Sequence, residues 1–117
     1  MTPEQFRDVL AACESNSVKT AWGDNLCAMG EFQAHPAWAW QFAHRYNIFP
    51  TLNGTWNDWI SRILRPFFLE YAAIDRSIEI AMRYHRGHRC HTEDSDWDVE
   101  YVMRFSKAAA ALGIALD

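Results

Sequence analysis

The chain begins with a segment that predicts its fold class, Thr2-Pro3-Glu4-Gln5-Phe6-Arg7-Asp8-Val9-Leu10-Ala11-Ala12-Cys13-Glu14. Thr2 followed by proline and then by Gln5 is the pattern of a helix N-cap with a capping box. Apolar side chains then recur at the helical spacing i, i+3, i+4 and i+7: Phe6, Val9, Leu10 and Cys13. The segment therefore predicts an amphipathic helix with one buried stripe, and Glu14 directly follows that stripe.

The rest of the chain predicts further helices joined by polar turns. Thr55 is expected to cap one of them, and Pro66 is expected to break or kink it because proline lacks a backbone N–H. The predicted helices after the first cover residues 35–47, from residue 55 to Pro66, 74–87 and 95–113. Small and polar residues after Glu14 predict a loop, with short extended pairing near residues 22–33. The fold class is therefore mostly α, in a single domain of residues 1–117 with a short β-hairpin.

Composition and charge exclude several classes of protein. Apolar residues make up 50% of the chain and charged residues 22%, which is typical of a globular domain. A net charge of −4 argues against nonspecific nucleic-acid binding. No apolar run approaches the about 20 residues that span a membrane, and the start lacks the pattern of a secretory signal. Three cysteines suggest no disulfide framework, so we expect the chain to be made in the cytoplasm.

Glu14 is the first candidate for chemistry. A carboxylate beside an apolar stripe suits general acid catalysis, because partial burial raises its pKa above the free value of about 4.3. Glycine at position 30 lets a ligand approach the nearby backbone closely. The structural alternative is that Glu14 is a solvated glutamate at the end of a helix.

Two segments around this loop carry a resemblance to a known family. The string Cys13-Glu14-Ser15-Asn16, followed by Ala28-x-Gly30-x-Phe32-Gln33 and Pro36, resembles the lytic transglycosylases and goose-type lysozymes. That resemblance implies a small lysozyme-like fold and cleavage of peptidoglycan glycan strands between N-acetylmuramic acid and N-acetylglucosamine. It also implies that Glu14 is the general acid/base and that no cofactor is needed.

The resemblance also suggests which residues bind the glycan. Carried over, Gly30 and Gln33 line the sugar groove, although Glu31 stands where the family usually has an apolar or basic residue. A looser match, Ala81-x-x-Tyr84-His85-x-Gly87, places Tyr84 near the catalytic glutamate. The structural alternative is that Tyr84 packs at the edge of the core.

The reaction type stays open at the level of sequence. A lysozyme needs a second carboxylate as nucleophile or base, and Asp24 and Glu31 are the acidic residues between Glu14 and the second helix. A lytic transglycosylase needs Glu14 alone, because the sugar's own N-acetyl and 6-hydroxyl groups complete the reaction.

Five of the six tryptophans divide into two predicted groups. Those on helical stripes are expected to pack in the core: Trp38, Trp56 and Trp59. Trp22 and Trp40 lie outside a clear stripe, so we predict that they stack on sugar rings or anchor a protein contact.

The segment His85-x-x-His88-x-x-His91 invites comparison with a zinc site. Gly87 interrupts the helix between the first two histidines, so no metal is predicted and a zinc-stabilised domain remains the weaker alternative. A further alternative is a noncatalytic phage or mobile-element protein that binds a host protein. For the enzyme, we expect other machinery, such as a phage particle, to deliver it to the cell wall.

Overall fold

The computed structural model describes residues 1–23, 27–88 and 95–117, and of residues 95–97 it describes the backbone alone. Five helices lie within these ranges: α1 (Pro3–Ser15), α2 (Pro36–Tyr46), α3 (Trp56–Ala72), α4 (Ser77–Gly87) and α5 (Ser95–Ala111). Two short strands, β1 (Trp22–Gly23) and β2 (Ala28–Met29), pair as an antiparallel hairpin with Trp22 opposite Met29. The prediction of a mostly α fold with a hairpin near residues 22–33 is thus confirmed.

The first helix forms as its sequence predicts. The Thr2 hydroxyl accepts a hydrogen bond from the Gln5 backbone N–H, and the Gln5 side chain accepts one from the Thr2 N–H. These two bonds satisfy donors that would otherwise be unpaired at a helix N-terminus. Asn16 then ends α1 in the left-handed conformation, with φ at 54°. The polypeptide therefore turns away from the helix directly after Glu14 and Ser15.

The apolar stripe of α1 packs at the centre of the molecule. Phe6 is fully buried between two rings, with centroids 5.0 Å from Phe68 on α3 and 5.9 Å from Phe105 on α5. Helix α1 contacts both α3 and α5, α4 packs on α5, and α2 packs on α3. Burying large aromatic side chains contributes about 1.5–3 kcal/mol each relative to exposing them. This packing fixes the C-terminal end of α1 against the other helices.

Two predicted boundaries differ from the structure. Helix α3 continues through Pro66 to Ala72, so the expected break is wrong. Apolar side chains are buried on both sides of the proline, Ile63 and Leu64 before it and Phe67 and Phe68 after it. This packing outweighs the missing backbone hydrogen bond.

The fourth helix begins later than its apolar spacing predicts. Ile74 was expected to open it, but Ile74 lies in a turn with 74% of its surface exposed, and α4 starts at Ser77. The Glu79 side chain accepts a hydrogen bond from the Arg76 backbone N–H and so caps the N-terminus of α4. No helix in the described part of the chain is long and apolar enough to cross a membrane.

Candidate functional site

Glu14 lies in the last turn of α1 and is half-buried. The neighbours Leu10 and Cys13 on the same helix are buried, so they hold this turn against the core. Asn16 ends the helix two residues later, and the chain then continues toward the hairpin. The structure therefore places the predicted catalytic carboxylate at a junction of helix and loop, partly sheltered from water.

Two buried tyrosines lie near the Glu14 carboxylate. Tyr84 on α4 and Tyr101 on α5 are each 1% exposed. Burial raises the pKa of both phenols well above 10, and the negative charge of Glu14 raises each pKa further. Both phenols therefore keep their protons at neutral pH, and Glu14 lies among neutral hydroxyl groups.

Tyr84 also connects α4 to the segment after the hairpin. Its hydroxyl donates a hydrogen bond to the Phe32 carbonyl oxygen, 2.5 Å away. Because the ring is buried, Tyr84 has little surface to offer a substrate directly. The charge of Glu14 contributes to the raised pKa of Tyr84, and the hydrogen bond to Phe32 suits a residue that positions the site.

The negative charge of Glu14 also acts on Cys13, which precedes it in the sequence. Burial raises the pKa of its thiol to about 11, and the Glu14 carboxylate adds to this shift. The Arg104 guanidinium has the opposite effect on that pKa, and it lies 5.3 Å from the centre of the Tyr101 ring. Two phenols and one arginine thus lie around the partly buried pair of Cys13 and Glu14.

A chain of hydrogen bonds ties the end of α1 to the hairpin and to α3. The Ser15 hydroxyl donates to the Glu31 carbonyl oxygen at 2.7 Å, and the Glu31 N–H donates to Asn57 Oδ1 at 3.1 Å. The other end of the Asn57 amide donates to the Lys19 carbonyl oxygen at 3.0 Å. Asn57 therefore holds both arms of the loop that follows Glu14.

Gly30 has two structural reasons to be glycine. Its φ is +77°, a left-handed conformation that favours glycine. A Cβ at this position would lie 2.1 Å from Asn57 Oδ1 and 3.0 Å from Trp56 Cδ1. The sequence analysis predicts that Gly30 allows a glycan to approach the backbone closely. In the structure, the side chains of Asn57 and Trp56 already pack against Gly30.

Gln33 is held inside the hairpin region. Its φ is +49°, and its side-chain amide donates to the Gly30 carbonyl oxygen at 2.9 Å. Its Oε1 atom lies over Gly23, where an added Cβ would be only 2.2 Å away. The side chain is half-buried, so part of it stays accessible while its amide nitrogen stabilises the turn.

The predicted sugar-stacking tryptophans lie in different places. Trp22 is 59% exposed and lines a cleft of about 860 Å³ between the hairpin and the start of α3. Glu31 lines the same cleft, and the described residues that line it do not include Glu14. Trp40 is 45% exposed and packs edge-on against Trp59, with 4.9 Å between ring centroids.

The histidines of the zinc alternative have separate neighbours. His85 stacks on Tyr101 with 3.8 Å between centroids, whereas His88 stacks on Trp38 at 4.9 Å. His88 Nδ1 lies 2.7 Å from the Tyr84 carbonyl oxygen, a contact that requires the proton on Nδ1. Within the described ranges no three His, Cys, Asp or Glu side chains group as metal ligands. His91 and the candidate second carboxylate Asp24 lie outside these ranges.

Three residues around the end of α1 and the turn at Gly30 have no site role in the sequence analysis: Ser15, Asn57 and Tyr101. Ser15 belongs to the quoted family pattern, so its spacing next to Glu14 was the available signal. Tyr101 and Phe105 are four residues apart and both buried, which marks the core-facing side of α5. Nothing local in the sequence connects Asn57 or Tyr101 to Glu14, since the pairs meet only through tertiary packing.

The chain was compared with models of protein families, with curated proteins and with solved structures, and none of the three comparisons found a match.

Proposed function

We propose that the protein cleaves the glycan strands of peptidoglycan and that Glu14 is its general acid/base. The observation that carries this proposal is the position of Glu14 at the end of α1, half-buried beside Tyr84 and Tyr101. The resemblance of residues 13–36 to lytic transglycosylases and goose-type lysozymes supplies the substrate class. In this proposal, other machinery such as a phage particle carries the enzyme from the cytoplasm to the wall.

The surroundings of Glu14 suit proton transfer to a glycosidic oxygen. A general acid must hold its proton until the bond breaks and then accept a proton in the second half of the reaction. Tyr84 and Tyr101 remain neutral there, because burial and the charge of Glu14 raise their pKa values. Neutral phenols beside Glu14 add no second charge to the site, which leaves Glu14 free to change its protonation state during the reaction.

The two reaction types under this proposal differ in the carboxylates that they need. Hydrolysis needs a second carboxylate close to the first, with about 5–9.5 Å between the two carboxyl groups. Glu31 lines the cleft beside Trp22, and the described lining of that cleft does not include Glu14. The transglycosylase reaction needs one carboxylate, and the position of Glu14 beside the neutral phenols of Tyr84 and Tyr101 is compatible with it.

Digestion of purified peptidoglycan tests this proposal. Wild type and Glu14→Gln are incubated with the polymer, and the released fragments are identified by mass spectrometry. Products with 1,6-anhydro ends indicate the transglycosylase, and reducing ends indicate a muramidase. Glu100→Gln is the matched control, because it makes the same chemical change at an exposed position of α5. If wild type and Glu14→Gln are equally inert while both are folded, the proposal is wrong.

A noncatalytic role in binding a phage or host protein is the second candidate. It is favoured by exposed apolar side chains on α5, where Val99 and Met103 lie four residues apart and are 57% and 61% exposed. Apolar side chains at this spacing form a stripe that a partner can cover. Substitution of both residues by serine would abolish partner binding if this candidate is right, and it would leave glycan release unchanged if the enzyme proposal is right.

A further inference from the structure

The cleft between the hairpin and α3 is a large feature that the proposed chemistry at Glu14 does not use. It measures about 860 Å³, within the range of about 300–1,000 Å³ that is common for ligand pockets. One part of the wall is formed by Trp22 of β1 and by Lys19 before it, and another by Trp56 and Asn57 in the first turn of α3. The turn at Gly30 and Glu31 connects these two parts.

Trp22 offers the aromatic face of this cleft. It is 59% exposed although it lies in a paired strand opposite Met29. An exposed tryptophan in a concave site is a flat apolar surface, which suits the C–H faces of a sugar ring. The polar tip of the neighbouring Trp56 is already used, because its Nε1 donates to the Met29 carbonyl oxygen at 3.1 Å.

The polar groups of the cleft favour a neutral ligand. Its charged lining consists of two cations and three carboxylates: Arg7, Lys19, Asp8, Glu31 and Asp58. Arg7 pairs with Asp8, with 3.0 Å between the charged atoms. A lining with nearly balanced charges does not select an anion or a cation, but it supplies the many donors and acceptors that hydroxyl groups need.

The cleft is also preorganised. Both ends of the Asn57 amide and the Trp56 N–H make hydrogen bonds to the backbone of the loop. Gly30 packs so closely on both side chains that a Cβ would collide with them. A wall that is already ordered lowers the entropy that ligand binding costs.

We propose that this cleft is a second saccharide-binding site, in which Trp22 stacks on an uncharged sugar unit of a glycan chain. The inference rests on the proposed function for the identity of the chain, which is the peptidoglycan glycan strand. The Ser15–Glu31–Asn57 hydrogen bonds join the cleft wall to the residue after Glu14. A second site on the same polymer keeps the strand near Glu14 between cleavage events by raising its effective concentration.

Binding of a soluble probe to the Glu14→Gln protein tests the proposal without turnover. The probe is the N-acetylglucosamine tetrasaccharide, and its dissociation constant is measured by isothermal titration calorimetry. In this background Trp22→Ala is expected to weaken binding about five- to tenfold, as the loss of one aromatic stacking contact implies. Trp22→Phe keeps an aromatic face and is expected to restore most of the affinity.

Trp40→Ala is the matched control, because Trp40 is also exposed but packs against Trp59 at a different place. Equal affinities of the Trp22→Ala and Trp40→Ala proteins would overturn the proposal, and so would the absence of any binding by the folded Glu14→Gln protein. Failure of the proposed function, cleavage at Glu14, gives a different set of results. In that case wild type releases no peptidoglycan fragments, while binding of the tetrasaccharide still depends on Trp22.

Discussion

Replacement of Gly30 by alanine tests how the turn beside Glu14 is held. Gly30 has a φ of +77°, and alanine in the left-handed conformation costs about 1–2 kcal/mol. Its new Cβ would also lie 2.1 Å from Asn57 Oδ1, so Asn57 must move. That movement breaks the 3.1 Å hydrogen bond from the Glu31 N–H, which contributes about 0.5–1.5 kcal/mol. The free energy of unfolding should therefore fall by about 2–3 kcal/mol.

Gly113→Ala is the matched control for backbone strain alone. Gly113 has a φ of +68°, close to that of Gly30, but a Cβ there would meet nothing within 4 Å. Its substitution should therefore cost about 1–2 kcal/mol, which is the price of the left-handed conformation only. Urea unfolding followed by circular dichroism measures both values under the same conditions.

The double variant Gly30→Ala, Asn57→Ala separates the collision from the strain. Removing the Asn57 side chain removes the atom that the new Cβ meets, so the double variant should lose less stability than the two single losses added together. The reasoning is refuted if Gly30→Ala and Gly113→Ala destabilise the protein equally, or if the losses at positions 30 and 57 simply add.

Three further predictions concern other parts of the molecule. Burial raises the pKa of the Cys13 thiol from 9.0 to about 11, so its contribution to stability is complete below pH 9 and lost as the pH rises through 11. Between these values wild type should lose about 2 kcal/mol more stability than Cys13→Ala in urea titrations, and parallel curves would contradict this. Tyr84→Phe should lower the free energy of unfolding by about 1–3 kcal/mol in the same assay, because it leaves the Phe32 carbonyl oxygen without its buried donor. An unchanged unfolding midpoint would count against that hydrogen bond. Glu70→Gln should barely change the midpoint of thermal unfolding, since the ion pair of Glu70 with Arg45 lies at the surface. A large drop in that midpoint would show that solvent screens this ion pair little.

Local patterns predicted those parts of the fold that depend on neighbouring residues. The capping box at Thr2 and Gln5 forms as expected, because its hydrogen bonds span only three residues. The buried stripe of α1 follows from helical spacing for the same reason. Pro66 misled the prediction, since the sequence shows the lost backbone donor but not the packing of Phe67 and Phe68 that keeps α3 together.

The surroundings of Glu14 were only partly predictable. The motif segments indicated Glu14 itself and placed Tyr84 near it, and the structure shows the charge of Glu14 acting on that phenol. Tyr101 reaches Glu14 across the packing of α1 on α5, and Asn57 reaches the Gly30 turn across 27 positions of sequence. Such contacts depend on how whole helices pack, and the spacing of residues within one segment does not predict this packing.

The most direct test of the account is the rate at which the protein releases labelled fragments from purified peptidoglycan, measured for wild type and Glu14→Gln side by side. General acid/base catalysis contributes about 10²- to 10⁴-fold, so the account predicts at least a hundredfold lower rate for the folded Glu14→Gln protein. A Glu14→Gln protein that releases fragments as fast as wild type would contradict it.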